Sequence, residues 1–338
     1  MVSALNSRIG RRQLIAALSA SVAGLSLPRV AVAQTPETFP NRPLRIVVPY
    51  APGGTADILG RLIAERLSIG LGQPVVVENR VGAGTAIASR YVATSPADGY
   101  TLMIGTITSH AMNPALQADI GYDPIKDFSA ISAISDIPYL VVANPQRGFT
   151  DLAGLIKRAR AEPGKLTFGS AGAGSSNHLA AELLAQKEGL SFTHVPYRGS
   201  APALNDVLAG QIDFMFDLLT TSQAHVKAGT LQGLATTAPT RIAALPDVQT
   251  TAEIGIPDLA IASWFGVFAP AGVPEPVLHR LSDTLAAIIT APDLQQKLAE
   301  QGGNPLLLRD KAFEALVIKD YRQWSQVVRT AGISQTIK

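Results

Sequence analysis

The 338-residue chain has no cysteine. Disulfides, thiolate metal sites and iron–sulfur clusters are therefore excluded. Charge is sparse, at 16% of residues, with 28 Lys and Arg against 26 Asp and Glu. No run of Lys or Arg exists to follow a phosphate backbone, so nucleic acid is not an expected partner. The low-hydrophobicity, high-charge composition of a disordered chain is missing too, because 47% of residues are apolar. Catalytic signatures are equally scarce. There is no G-x-S-x-G elbow and no G-x-x-x-x-G-K-[ST] loop. Gly82-Ala83-Gly84 and Gly172-Ala173-Gly174 begin a dinucleotide fingerprint, but Ile87 and Asn177 occupy its last glycine position. The five histidines show no metal-ligand spacing. No metal and no cofactor is expected.

What is present begins with a leader. Arg8, Arg11 and Arg12 precede an uncharged apolar run, Leu14 to Leu27, and Ala31-Val32-Ala33 fits a small-x-small cleavage site. The run is shorter than the roughly 20 residues of a membrane span. Residues 1–33 are expected to be a signal peptide, with Gln34 as the new N-terminus. The Arg11-Arg12 pair suits the twin-arginine route, and an ordinary secretory signal accounts for it equally. The destination expected is the periplasm.

After residue 34, β-rich runs alternate with amphipathic stretches. Leu44–Val48, Val75–Glu78 and Tyr100–Ile104 read as strands. Ile58, Leu59, Leu62, Ile63 and Leu67 share one face of a helix between the first two. The same rhythm restarts near residue 143 and ends in three helices over 275–330. The chain is expected to be α/β with a parallel or mostly parallel sheet, in two lobes. One lobe comprises 34–142 with 263–338, and the other 143–262. Two crossings between them would leave a hinge and a cleft, where ligands bind. The reading assigns no element between residues 105 and 150.

Three strand-to-helix loops carry the candidate chemistry. Pro49 to Asp57 contains Gly53-Gly54 and the Thr55 hydroxyl, at the start of a helix whose N-terminus favours an anion. Asp57 would cap that helix or receive a ligand ammonium. Gly169 to His178 offers backbone donors and three serine hydroxyls, and Tyr197 to Pro202 is a third such turn. A plain βα turn has the same composition. One loop in each lobe, both opening at carboxyl ends of strands, is the stronger argument. Asp217 follows a third strand and would face the cleft or end a turn. Trp264 reads as core or hinge packing.

These segments, taken in order, resemble a known family. The run RPLRIVVPYAPGGTADILGRLIAERLSIGLGQPVVVENRVGAGTAIA, with SAGAGSSNHLAAELL, HVPYRGSAPAL, AGQIDFMFD, LPDVQTTAEIG and WFGVFAPAGVP, is similar to the extracytoplasmic solute receptors of tripartite tricarboxylate transporters, also called Bug receptors. The resemblance covers nearly the whole chain after the leader. It implies a type II periplasmic binding fold closing on one small organic carboxylate, a monomer that catalyses nothing and delivers its ligand to membrane transporter subunits. The family's carboxylate-gripping loops map onto Tyr50, Pro52, Gly53, Gly54, Thr55 and Asp57, and onto Ser170, Gly174, Ser175 and Asn177. Thr106, Tyr197, Ser200, Ala201 and Asp217 would line the cleft. The grip implied uses backbone N–H groups and hydroxyls rather than an arginine. Two departures bear on the far end of the ligand. Ala173 stands where many relatives carry a polar residue, and Leu218-Leu219-Thr220 replaces a more polar run. Two other readings stay open: a sensor that signals to a membrane kinase, and an exported α/β enzyme acting on a carboxylate.

Overall fold

The computed structural model describes residues 39–117 and 119–331, so the expected leader lies outside the described residues. The β-branched run LRIVV forms β1 (Leu44–Val48), flanked in parallel by β2 (Val75–Asn79) and β3 (Thr101–Thr106). Helix α1 (Thr55–Leu71) buries Leu59, Leu62, Ile63 and Leu67 against them, on the spacing read from the sequence. Gly72 stops it with φ 67°, a left-handed cap whose N–H returns to the Ser68 carbonyl. Helix α2 (Ala86–Ala93) follows β2, and a wide turn at Thr108–Met112 leads from β3 into the short α3 (Asn113–Leu116).

A 16-residue strand comes next, β4 (Phe128–Ala143). Beyond it Asp151 accepts the Gly154 N–H at 2.7 Å and caps α4 (Leu152–Ala161). A second parallel group is then built from β5 (Thr167–Ser170), α5 (Ser176–Glu188), β6 (Thr193–Pro196), α6 (Ser200–Leu208) and β7 (Phe214–Leu218). It is followed by α7 (Leu219–Lys227), β8 (Gln232–Thr236) and β9 (Ala262–Pro270). The chain ends in α8 (Glu275–Thr290), α9 (Pro292–Glu300), a two-residue β10 (Asn304–Pro305) and α10 (Asp310–Ala331).

The strand order is β2-β1-β3-β9-β4-β7-β5-β6, with β8 and β10 also paired to β4. The expectation of a mostly parallel sheet is corrected at its centre. There β9 runs antiparallel to β3 and β4, and β4 runs antiparallel to β7 and β8. The reason is topological. β4 and β9 are the two strands that pass between the parallel groups, in opposite directions. β4 pairs with β9 from Phe128 to Pro138 and with β7 from Tyr139 to Ala143. Two α/β lobes joined by two strand crossings result.

β4 also explains why no element was assigned there. Its isoleucines recur every third residue, at Ile131, Ile134 and Ile137, which is not the period of a strand. The register to β9 slips between Ala130 and Ser132 and again between Ala133 and Ser135. Each bulge absorbs one extra residue, Ile131 and then Ile134, so a spacing of three keeps all three in the core.

On α10, Phe313, Val317, Trp324 and Val328 form a buried stripe against Trp264 and Phe268 of β9. The Trp264 indole donates to Asp320 Oδ2 at 2.8 Å, as a buried indole requires. His110 stacks on Phe268 with ring centroids 3.9 Å apart. Burial alone drives it down to about 3, so it is a neutral core residue at ordinary pH. Among the described residues, no helix is long and apolar enough to cross a membrane.

Candidate ligand-binding site

The first glycine loop is held from behind. Gly53 has φ 86°, and its N–H donates to Asp57 Oδ2 at 3.0 Å. The same carboxylate accepts both Arg61 Nε at 2.9 Å and Asn79 Nδ2 at 2.9 Å. Asn79 also donates to the Tyr50 carbonyl at 2.9 Å. Burial alone would raise the Asp57 carboxyl, but the bonds from Arg61, Gly53 and Asn79 outweigh it and hold it below the usual range. Asp57 therefore braces the loop. Its carboxylate is already occupied by donors from Gly53, Arg61 and Asn79.

The second loop is braced from within. Ser175 Oγ donates to the Gly172 carbonyl at 2.5 Å, and Ala171 N–H donates to Asn177 Oδ1 at 3.2 Å. Gly174 N–H donates to His178 Nδ1 at 3.1 Å. Ser170 Oγ lies 2.6 Å from His194 Nε2, and the rings of His178 and His194 stack at 3.9 Å. Burial, and then His194 beside it, lower His178 to about 3, so its Nδ1 remains an acceptor. The ring spaces the loop.

Both loops open onto one cavity of about 30 Å³. Of the residues expected, Tyr50, Gly54, Thr55, Thr106, Asn177, Ser200 and Asp217 lie on its wall. Pro52, Gly53, Asp57, Ser170, Gly174, Ser175 and Ala201 do not. Several of these shape the wall from behind, and a Cβ on Gly53 would sit 3.6 Å from that of Ala201. Tyr197 lines an outer recess instead, with Arg198 and Ala173, and its hydroxyl donates to Asp206 Oδ2 at 2.5 Å. Of the two departures, Leu218 reaches the cavity wall and Ala173 only the recess.

Sequence reasoning missed Tyr139, Ser263 and Phe265, which also line the cavity. They come from β4 and β9, the strands that cross between the lobes. No loop signature marks them. Only the pairing of the two strands brings them to the floor of the cleft.

The electrostatics of this wall are distinctive. Four helices begin at it: α1 at Thr55, α5 at Ser176, α6 at Ser200 and α7 just after Leu218. None is capped by the side chain of its own N-cap residue, although the Thr108 hydroxyl accepts the Ser176 N–H of α5 at 3.0 Å. Uncapped first-turn N–H groups and aligned peptide dipoles attract an anion, at about 0.3–1 kcal/mol per helix. The wall carries no Lys or Arg. Three buried polar atoms on it have no hydrogen-bond partner: Thr55 Oγ1, Tyr139 Oη and Asp217 Oδ1. Leaving such an atom unpaired costs about 1–3 kcal/mol. Their convergence on one cavity makes it the candidate site. Burial pushes the Asp217 carboxyl up to about 7, offset only in part by the Thr221 hydroxyl and the Leu218 N–H.

Comparison with known proteins agrees with this geometry. Residues 59–333 match the model of the tripartite tricarboxylate transporter family receptor. Protein BugT of Bordetella pertussis is 32% identical over 313 residues, 92% of this chain and 94% of that protein. A Rhodopseudomonas palustris protein solved with adipate superposes with a TM-score of 0.82 at 39% identity, over 87% of this chain and 98% of its own. MatC of the same organism, solved with bound malate, gives 0.81 at 32% identity, over 86% of this chain and all of its own, 100%. With four fifths of its length inside the family model and the type II periplasmic binding fold in place, the chain belongs to the tripartite tricarboxylate transporter family of receptors.

Proposed function

We propose that this receptor works in the periplasm, captures a small organic carboxylate between its two lobes and delivers it to the membrane subunits of a transporter. The observation that carries this reading is the meeting of four helix N-termini at a cavity rich in hydroxyls and free of Lys and Arg. Such a wall grips a carboxylate through N–H and O–H donors. The adipate and malate held by two relatives support a ligand of that class.

In this reading the lobes, 34–142 with 263–338 and 143–262, rotate about the crossings of β4 and β9. A ligand that touches both lobes binds the closed state more tightly and shifts the population toward it. The closed form then presents a composite surface to the transporter. Tyr50, Gly54, Thr55 and Thr106 act from one lobe, and Asn177, Ser200 and Asp217 from the other. The protein works as a monomer and transforms nothing.

The test is a thermal-shift panel of mono-, di- and tricarboxylates on protein stripped of ligand by partial unfolding and refolding. A ligand at a hundred times its dissociation constant adds about 2.7 kcal/mol. A raised Tm with one or a few carboxylates is expected. No shift with any of them, in protein shown to be folded, removes the reading.

A further inference from the structure

The cavity combines two features that conflict unless a proton is added. It is built for an anion, and its wall carries one ionisable carboxyl with no cation to balance it. Asp217 is 1% exposed. Its Oδ2 accepts the Thr221 hydroxyl at 2.6 Å, which leaves Oδ1 as the buried, unpartnered atom on the cavity wall. Two bare carboxylates sharing a desolvated site repel, and one of them takes up a proton.

We propose that Asp217 holds the ligand as the neutral acid, donating a hydrogen bond from Oδ1 to a ligand carboxylate oxygen, so that capture by a receptor whose Asp217 is ionised takes up one proton from solution. The inference rests on the carboxylate reading of the site. The Thr221 hydroxyl lies 2.6 Å from Oδ2 and 3.0 Å from the Leu218 carbonyl, which leaves Oδ1 as the atom free to carry the proton toward the cavity. The resulting O–H···O⁻ bond is charge-assisted and among the stronger kinds. Selectivity follows from the same geometry. A ligand that offers an ammonium at this position would require the ionised form instead.

Few other groups can supply or compete for that proton. On the elements packed against β7, the titratable side chains are Asp136 and Tyr139 on β4, His178 and Glu182 on α5 with Lys187 and Glu188 at its far end, Asp206 on α6, and His225 and Lys227 at the far end of α7. β5 contributes none. Of these only Tyr139 shares the cavity wall with Asp217, and across the cavity Tyr50 is the other phenol. Burial raises both phenols above their ordinary value, so they stay neutral donors. Burial also places the Asp217 carboxyl at about 7, where a proton is gained at little cost near neutrality.

The test is isothermal titration of the whole receptor with adipate and with malate between about pH 6.5 and 8.5, where both probes are ionised. Each titration is run in two buffers of different ionisation heat, on the wild type and on Asp217→Asn. The wild-type affinity is expected to fall about 20-fold over that range, with uptake approaching one proton per ligand at the upper end. Asp217→Asn, whose amide still donates, is expected to bind with an affinity independent of pH. Wild-type affinity that is flat or rises with pH, without proton uptake, overturns the proposal and assigns Asp217 to a ligand donor. Failure of both probes, and of every carboxylate in the thermal panel, overturns the carboxylate reading and this inference with it. If Asp217→Asn does not fold by circular dichroism, the proton count on the wild type alone decides.

Discussion

The Thr108 hydroxyl accepts the Ser176 N–H at 3.0 Å, joining the turn after β3 to the first helical residue of α5, 68 positions away. Together with the bond from the Ala51 N–H to the Arg198 carbonyl at 3.1 Å, it ties the two sides of the cavity together, and it satisfies one of the first-turn donors of α5. In the proposed closure of the lobes it favours the closed arrangement. Thr108→Val keeps the side-chain shape and removes the acceptor. A bond of this kind is worth about 0.5–1.5 kcal/mol. The variant should therefore bind its carboxylate about 2- to 10-fold more weakly, with a larger radius of gyration by small-angle X-ray scattering before ligand is added. Unchanged affinity and unchanged radius would show that the bond does not favour closure.

Tyr139 makes a contrasting prediction. Its hydroxyl is buried with no hydrogen-bond partner. Tyr139→Phe removes an unsatisfied group, so thermal stability without ligand should hold or rise slightly. With ligand the same change removes a donor, and binding should weaken by about 1–2 kcal/mol, or 5- to 30-fold. Differential scanning calorimetry with and without adipate separates the two effects. A loss of stability that is the same in both conditions would make Tyr139 a packing residue only.

Asp217 should also govern how stability depends on pH. Its folded pKa, about 7, lies above the ordinary carboxyl value. The folded state therefore binds its proton more tightly than the unfolded state, and stability from this group falls as pH rises from about 4 through 7. Burying the charge above that range costs on the order of 4 kcal/mol as an upper figure. Asp217→Asn should flatten this decline, so that urea unfolding at about pH 8 finds the variant more stable than the wild type and the two converge near pH 4. A constant difference across pH would mean that the carboxyl is not shifted in the folded protein.

The brace behind the first loop is open to the same kind of test. Asp57→Ala leaves the Gly53 N–H and Asn79 Nδ2 without their acceptor. Arg61, with its side chain 55% exposed, turns to water at little cost. A loss of about 2 kcal/mol in stability is expected, together with weaker ligand binding although Asp57 is not on the cavity wall. Normal affinity in a destabilised but folded variant would show that the loop keeps its shape without the brace.

The loops were legible in the sequence because they are dense in glycine and sit between a strand and a helix, and seven of the fifteen expected residues reach one cavity wall. Asp57, Ser170 and Ser175 belong to these loops and bond within them rather than lining the cavity. A polar side chain in a glycine loop serves the ligand or the loop itself, and the spacing is the same for both. The centre of the sheet was not legible. β4 carries its isoleucines every third residue because two bulges absorb the extra positions, and no local pattern announces a bulge. Tyr139 and Ser263 were hidden for a related reason. They reach the site through the pairing of β4 with β9, a relationship between residues more than a hundred positions apart.

The most direct measurement is a crystal structure of the receptor with the carboxylate that raises its Tm most. The account predicts that ligand in the cavity, one carboxylate against the first turns of α1 and α5 and another within hydrogen-bond reach of Asp217 Oδ1 and Tyr139 Oη. A ligand bound elsewhere, or one whose carboxylates are held by Arg198 in the outer recess while the inner cavity stays empty, would contradict it.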